Sequence, residues 1–260
     1  MGKSGDSVNQ ECKKNADPKV VADFGSEWTR FNQNELMPEE HQVMFDNYFK
    51  IFPWDKLPNN SVGVDVGCGS GRWAALVLPK VGHLHCVDAS KDALRVARSN
   101  LKDEKNVDFQ LSSVDELQFT DNSMDFVYSL GVLHHVPDTA AAVKSIARIL
   151  KPGAPMLLYL YYAFDNRPLW FRILWQISDF FRRIVSRLPV KLKHFVCDII
   201  AISVYWPVAR LGALLDKLNL MPASWPLSYY RDKEFYTLRT DALDRFGTRL
   251  EPTFHQGTNN

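Results

Sequence analysis

Five short apolar runs alternate with helix-like segments between Val62 and Tyr162, and this alternation restricts the fold more than any other feature of the 260-residue chain. The runs are VGVDV (62–66), HLHCVD (83–88), VDFQL (107–111), MDFVYSLG (124–131) and PMLLYLYY (155–162). After the second, SKDALRVARSNLKD places Ala93, Leu94, Ala97 and Leu101 on one helical face, with Ser90 as its N-cap. Strands separated by helices need crossover connections, which make the strands parallel and cover both faces of the sheet. The expected fold class is therefore α/β, a doubly wound, mostly parallel sheet with ligands at the carboxyl ends of its strands.

Other segments depart from that rhythm. Residues 1–18 are polar and read as a flexible tail. Residues 19–60 read as an N-terminal helical segment dense in aromatics, followed by the α/β core over 61–164. Residues 165–240 read as a helical cap or lid inserted after the fifth strand. Within 165–220, nine Lys and Arg stand against four Asp, among Trp170, Trp175, Phe180, Phe181 and Trp206. The best candidate for a membrane span, VCDIIAISVYWPVARLGALL, is interrupted by Asp198, Pro207 and Arg210. A basic, aromatic-bearing helix can instead lie on a membrane surface, so peripheral contact through 165–220 is an open expectation. Residues 241–260 close on HQGTNN, a polar ending without apolar periodicity that reads as lacking a final β-hairpin. That would leave the fifth strand an uncovered edge, to be met by the cap or by a dimer partner.

The net charge of +1 offers no field for a polyanion, so nucleic acid is not expected as a partner. Cys12, Cys68, Cys86 and Cys197 form no CxxC pair and no zinc-ligand spacing, which suggests a reduced, cytoplasmic protein with no metal. The polar N-terminus has no signal-peptide character, and Asp6 occupies the position where a myristoylation motif has Ser or Thr.

The chemistry is concentrated in VDVGCGSGRW, residues 64–73. A strand, a glycine turn and a helix make a ligand-binding device, because glycine admits positive φ and lets the backbone approach the ligand. The spacing is G-x-G-x-G (Gly67, Gly69, Gly71), and Arg72 stands where a dinucleotide fingerprint has its third glycine. Asp65, two residues before the first glycine, would repel a pyrophosphate and suits a ligand bearing an ammonium or sulfonium. Both features disfavour a nicotinamide-dependent oxidoreductase. Asp88, ending the second strand, is placed to accept hydrogen bonds from ribose hydroxyls. A nucleoside with a cationic amino-acid tail satisfies both acids, and S-adenosyl-L-methionine has that constitution.

VDVGCGSGRW, CVDAS, VDELQFTDNSMDFVYSLGVLHHVPD and LKPGAPMLLY occur in an order that resembles the motifs of class I S-adenosylmethionine-dependent methyltransferases. The likeness covers residues 62 to 162 and is strongest to the small-molecule branch that includes quinone-biosynthesis enzymes. It implies a Rossmann-like fold and S-adenosyl-L-methionine as cofactor. It also implies that Gly67, Gly69 and Gly71 meet the methionine moiety, with Asp65 near the amino group and Asp88 and Ala89 at the ribose. Adenine contacts would fall to Ser113 and Val114, where the family usually carries an acid in place of Ser113; Asp115 is the alternative. Leu130 would close the cofactor site at the end of the fourth strand.

Methyl transfer needs alignment and, for some acceptors, a base. His134 and His135 in GVLHHVPD are the catalytic candidates, since histidine titrates near neutral pH. Tyr161, Tyr162, Trp28 and Phe31 are expected to line the pocket of a small, partly apolar acceptor. The expected function is methyl transfer to O, N or C of that acceptor. A non-catalytic S-adenosylmethionine-binding protein with a degenerate fold is the alternative.

Overall fold

The computed structural model describes residues 15–160, 168–222 and 225–249. Each of the five apolar runs is a strand: β1 Val62–Val66, β2 His83–Asp88, β3 Val107–Leu111, β4 Phe126–Leu130 and β5 Met156–Tyr159. They pair in parallel in the order β3-β2-β1-β4-β5, with Val64 opposite both His85 and Val127. The order reverses between β1 and β4, which opens a crevice at the carboxyl ends of those strands.

The two-residue period of a strand divides the central side chains between two cores. Val64, Val66 and Val127 pack with Leu133, Ile146 and Ile149 beneath α5 (Thr139–Ile149). Phe126, Tyr128 and Leu130 point the other way, into a cluster with Trp73 of α3 (Arg72–Val77) and Leu94 of α4 (Lys91–Asn100). Each such side chain, fully buried, contributes about 1.5–3 kcal/mol. The expected helix after β2 is α4; Ala93, Leu94, Ala97 and Leu101 are all buried, and Ser90 Oγ accepts from the Ala93 amide at 3.3 Å.

Two helices precede the sheet, α1 (Pro18–Arg30) and α2 (Pro38–Tyr48). Order begins sooner than the expected tail over 1–18 allows. Asn15 is buried; its amide donates to Asp115 at 2.9 Å and its side chain exchanges hydrogen bonds with the Asp138 backbone at 2.6 and 2.8 Å. Residues 1–14, including Cys12, lie outside the described residues. The other three cysteines are buried free thiols.

After β5 the chain is helical: α6 (Leu169–Val185), α7 (Val190–Ile200), a π-helical turn (Ala201–Tyr205), α8 (Trp206–Lys217) and α9 (Phe235–Gly247). These share a third core in which Cys197, Ala201, Tyr205 and Ala209 meet Leu238, Ala242 and Phe246 of α9 and Phe31, which follows α1. The cap expected over 165–240 therefore reaches beyond its boundary, because α9 runs through residue 240 without a break. From Val190 to Lys217 the helix is continuous for 28 residues, long and apolar enough to cross a bilayer. Pro207 does not interrupt it, since the wide π-helical turn just before it accommodates the ring and the missing N–H. Among the described residues β5 lies at the edge of the sheet. Tyr48 of α2 stands against its Tyr159, ring centroids 4.9 Å apart.

Candidate active site

The loop between β1 and α3 is built around backbone that only glycine tolerates. Gly67 has φ +79°, and a Cβ there would lie 2.5 Å from the Val132 side chain. Gly69 has φ +55°, with the Trp28 indole 2.8 Å from the position of its missing Cβ. The loop is also tied to β2. The Gly67 and Cys68 amides donate to the Val87 carbonyl at 2.7 and 3.0 Å.

Asp88 secures both ends of this arrangement. One carboxylate oxygen accepts from the Gly69 amide at 2.9 Å, the other from the Ser90 amide at 2.8 Å. Burial raises its pKa, and the two amides oppose that rise by favouring the charged form. Each oxygen has a second lone pair, so the carboxylate can hold the loop and still accept from a diol.

Asp65 lies beneath the loop and not on the cavity wall. It is 1% exposed and accepts a 2.9 Å hydrogen bond from Tyr128 Oη. Burial pushes its pKa to about 8; Asp88 adds to the rise, and Tyr128 and Arg72 oppose it. A cation entering the loop would draw that proton off.

A cavity of about 870 Å³ opens above the carboxyl ends of the strands. That is near the top of the range of about 300–1,000 Å³ usual for ligand pockets. Gly67, Asp88, Ala89, Ser113, Val114, Leu130 and His135 line it, as does Trp28. Asp65, Gly69, Gly71 and His134 do not. Ser113 is on the wall where the resemblance placed an acid. Asp115 is turned to structure, accepting from Ser113 Oγ at 2.5 Å and from the Asn15 amide.

The two histidines are separated by the short 3₁₀ turn that carries them. His134 is fully buried, and its pKa is pushed down to about 2 by burial and by His135. It does not reach the cavity. His135 does, with its ring edge-on to Phe24 at 4.8 Å. Phe31, expected at the acceptor pocket, is instead buried in the third core, 5.5 Å from the Tyr236 ring. Tyr161 and Tyr162 lie outside the described residues.

Glu27, Asp241 and Asp244 on the wall carried no motif signal. Glu27 of α1 is buried and its pKa is raised well above the usual carboxylate value, by burial first and then by Asp244. Asp241 of α9 is raised to about 6, again chiefly by burial, with Tyr230 opposing and Asp244 adding. Tyr48, Tyr159, Trp175, Tyr205, Tyr229 and Tyr230 supply much of the remaining wall. Among the described residues, His83, His85 and Asp108 also bring three ligand atoms within 4.8 Å, a grouping not expected from the sequence. It lies toward the start of β2 and β3, at the far end of the strands from the cavity.

Residues 64–158 match the family model described as Methyltransferase domain. Over this part of its length the chain is similar to a methyltransferase domain. Phosphoethanolamine N-methyltransferase 2 of Caenorhabditis elegans is 38% identical over 101 residues, covering 38% of this chain and 23% of that one. Demethylmenaquinone methyltransferase of Staphylococcus saprophyticus is 29% identical over 149 residues, covering 56% and 62%. The crystal structure of the YcgJ protein from Bacillus subtilis superimposes with a TM-score of 0.45 at 26% identity, covering 56% and 59%. The chain thus spans less than two thirds of the length of these relatives.

The class that the resemblance implies uses S-adenosylmethionine, and the residues of this site fit that cofactor. Asp88 has acceptor capacity for a ribose, the Gly67 backbone leaves no room for a side chain where a ligand must approach, and the buried Asp65 lies beneath the glycine loop. When bound, the cofactor supplies a methyl group on a positively charged sulfur.

Proposed function

We propose that this chain transfers a methyl group from S-adenosylmethionine to O, N or C of a small, largely apolar acceptor held in the same cavity. One observation carries the reading: motif residues and the aromatic side chains of α2, β5, α6 and the helices beyond line a single cavity. Gly67, Asp88, Ala89, Ser113, Val114 and Leu130 would hold the cofactor. Tyr48, Tyr159, Trp175, Tyr205, Tyr229 and Tyr230 would pack on the acceptor and exclude water from it.

Displacement at a sulfonium methyl leaves a neutral thioether, so the protein's contribution is chiefly alignment and removal of an acceptor proton. His135 and Asp241 both face the cavity and are the groups placed to take that proton. With a pKa near 6, Asp241 is ionised at neutral pH yet still basic enough to accept.

The test is calorimetric titration with S-adenosylhomocysteine, followed by its release as product from S-adenosylmethionine with quinol, phenol and amine acceptors. Turnover whose rate rises through about pH 6, with that limb abolished in Asp241→Asn, supports the reading. Tight S-adenosylhomocysteine binding without turnover on any acceptor would leave a binding protein in its place.

A further inference from the structure

Helices α6, α7 and α8 are inside out. In α6 the large apolar residues Leu169, Trp170, Ile173, Leu174, Ile177, Phe180, Phe181 and Ile184 are all between 45% and 70% exposed. At 3.6 residues per turn they fall within a single arc of about 140°. The opposite face carries Asp179 and Arg182, both buried and joined at 2.9 Å, with Trp175 on the cavity wall. A helix on a water-soluble surface has the reverse arrangement.

The long helix repeats the pattern. Leu192, Phe195, Ile199, Ile202, Trp206, Leu211, Leu214 and Leu218 are exposed. Charged groups in its interior turns are directed toward the rest of the protein: Lys193 is buried against Asp23 at 2.6 Å, and Asp198 is bonded to Arg30 and Arg239. Arg210 donates to the Arg231 and Lys233 carbonyls, both at 2.9 Å. These ties run along the length of the helix. They hold one face on the domain, so it cannot thread across a bilayer while the domain stays folded.

Charge decides what fits the outward face. The exposed ionic side chains of these helices are Arg172, Arg183, Arg187, Lys191 and Lys217 against Asp216 alone. Arg172 and Arg183 border the apolar arc of α6 on the same side, where long basic side chains can keep their heads in the polar layer. An apolar face edged with cations is complementary to an anionic lipid surface, whereas a second copy of this face would bring like charges together.

We propose that the outward face of α6–α8 docks in the plane of an anionic lipid bilayer. The apolar side chains enter the boundary between headgroups and acyl chains, and the Arg and Lys side chains meet lipid phosphates. Trp175 and Tyr205 project from this docked layer onto the cavity wall, so the cavity lies directly above the membrane.

The experiment is co-sedimentation of the purified chain with phosphatidylcholine vesicles, with and without phosphatidylglycerol. The Phe180→Ser/Phe181→Ser/Ile184→Ser variant is the comparison, because all three side chains lie outside the cores. The wild type should partition onto phosphatidylglycerol vesicles, less at high salt, and the variant should lose on the order of tenfold in partitioning. An unchanged melting temperature and retained S-adenosylhomocysteine binding show that the variant is folded. The proposal is overturned if the wild type stays in the supernatant with both vesicles. Equal binding by the variant overturns it too. So does sedimentation velocity showing a wild-type dimer, indifferent to vesicles, that the variant converts to a monomer. None of these readouts depends on the identity of the methyl acceptor.

Discussion

Tyr128 donates a 2.9 Å hydrogen bond to Asp65, its register partner across the parallel pairing of β4 and β1. Burial holds the Asp65 pKa near 8, against an ordinary value of 3.8. A carboxyl raised on folding contributes stability that is present below its unfolded pKa and lost as pH rises through its folded one. Asp65→Asn keeps an oxygen for Tyr128 and removes the titration. Its melting temperature should stay close to wild type near pH 4, exceed it increasingly as pH rises toward about 8, and keep a constant margin above that. Melting curves collected across that window decide the matter; parallel curves would mean that Asp65 is ionised throughout.

Asp88 joins the glycine loop to α4 through the Gly69 and Ser90 amides. Asp88→Ala should weaken S-adenosylhomocysteine binding on the order of 100-fold or more and cost about 1–3 kcal/mol of stability, since two amides lose a charged acceptor. Calorimetry and denaturant unfolding read the two effects separately. Unaltered affinity would exclude Asp88 from the cofactor site.

Gly67→Ala forces a side chain into left-handed backbone and against Val132. The backbone alone costs about 1–2 kcal/mol, and the contact adds to it. Pairing it with Val132→Ala removes part of the contact but none of the backbone strain. The double variant should therefore recover a fraction of the lost stability. Simple additivity in a double-mutant cycle would show that the two positions do not touch.

His134 is neutral in the folded protein down to about pH 2, while an unfolded histidine takes up its proton near 6.5. A depressed histidine contributes stability that is present above pH 6.5 and lost as pH falls toward the folded value, at no more than about 1.4 kcal/mol per unit. His134→Leu should flatten the acid side of the stability profile relative to wild type and leave methyl transfer intact. His135→Phe, on the cavity wall, should lower turnover with little change in that profile. The reverse pattern would exchange their roles.

The sheet was legible in the sequence because parallel strands buried on both faces leave uninterrupted apolar runs, and all five runs became strands. Asp88 and Gly67 were legible because their spacing has a backbone reason. Glu27, Asp241 and Asp244 were not. They sit on α1 and α9, far apart in sequence, and reach the cavity only through tertiary packing. The pair His134-His135 could not be resolved either, since adjacent residues on a 3₁₀ turn diverge and nothing in the sequence says which one faces the ligand. The cap helices show a deeper limit. Periodicity reports that a helix has two unlike faces, but not which one the protein keeps for itself.

The π-helical turn Ala201–Tyr205 acts as a phase corrector. Upstream of the turn Leu192, Phe195, Ile199 and Ile202 are exposed at steps of three and four, downstream of it Leu211, Leu214 and Leu218 are exposed at the same steps, and Val204 and Trp206, within and just after it, fall off that rhythm. A π-helical turn holds about one residue more than an α-helical turn, and in an unbroken α-helix that surplus residue would swing everything after it by about 100°. The wide turn absorbs it, keeping both halves of the 28-residue helix facing the same way. Deleting one residue within the turn would preserve the helix and its composition while rotating Leu211, Leu214 and Leu218 out of line with Leu192, Phe195 and Ile199. For this protein, orientation is a property stored in a single extra residue.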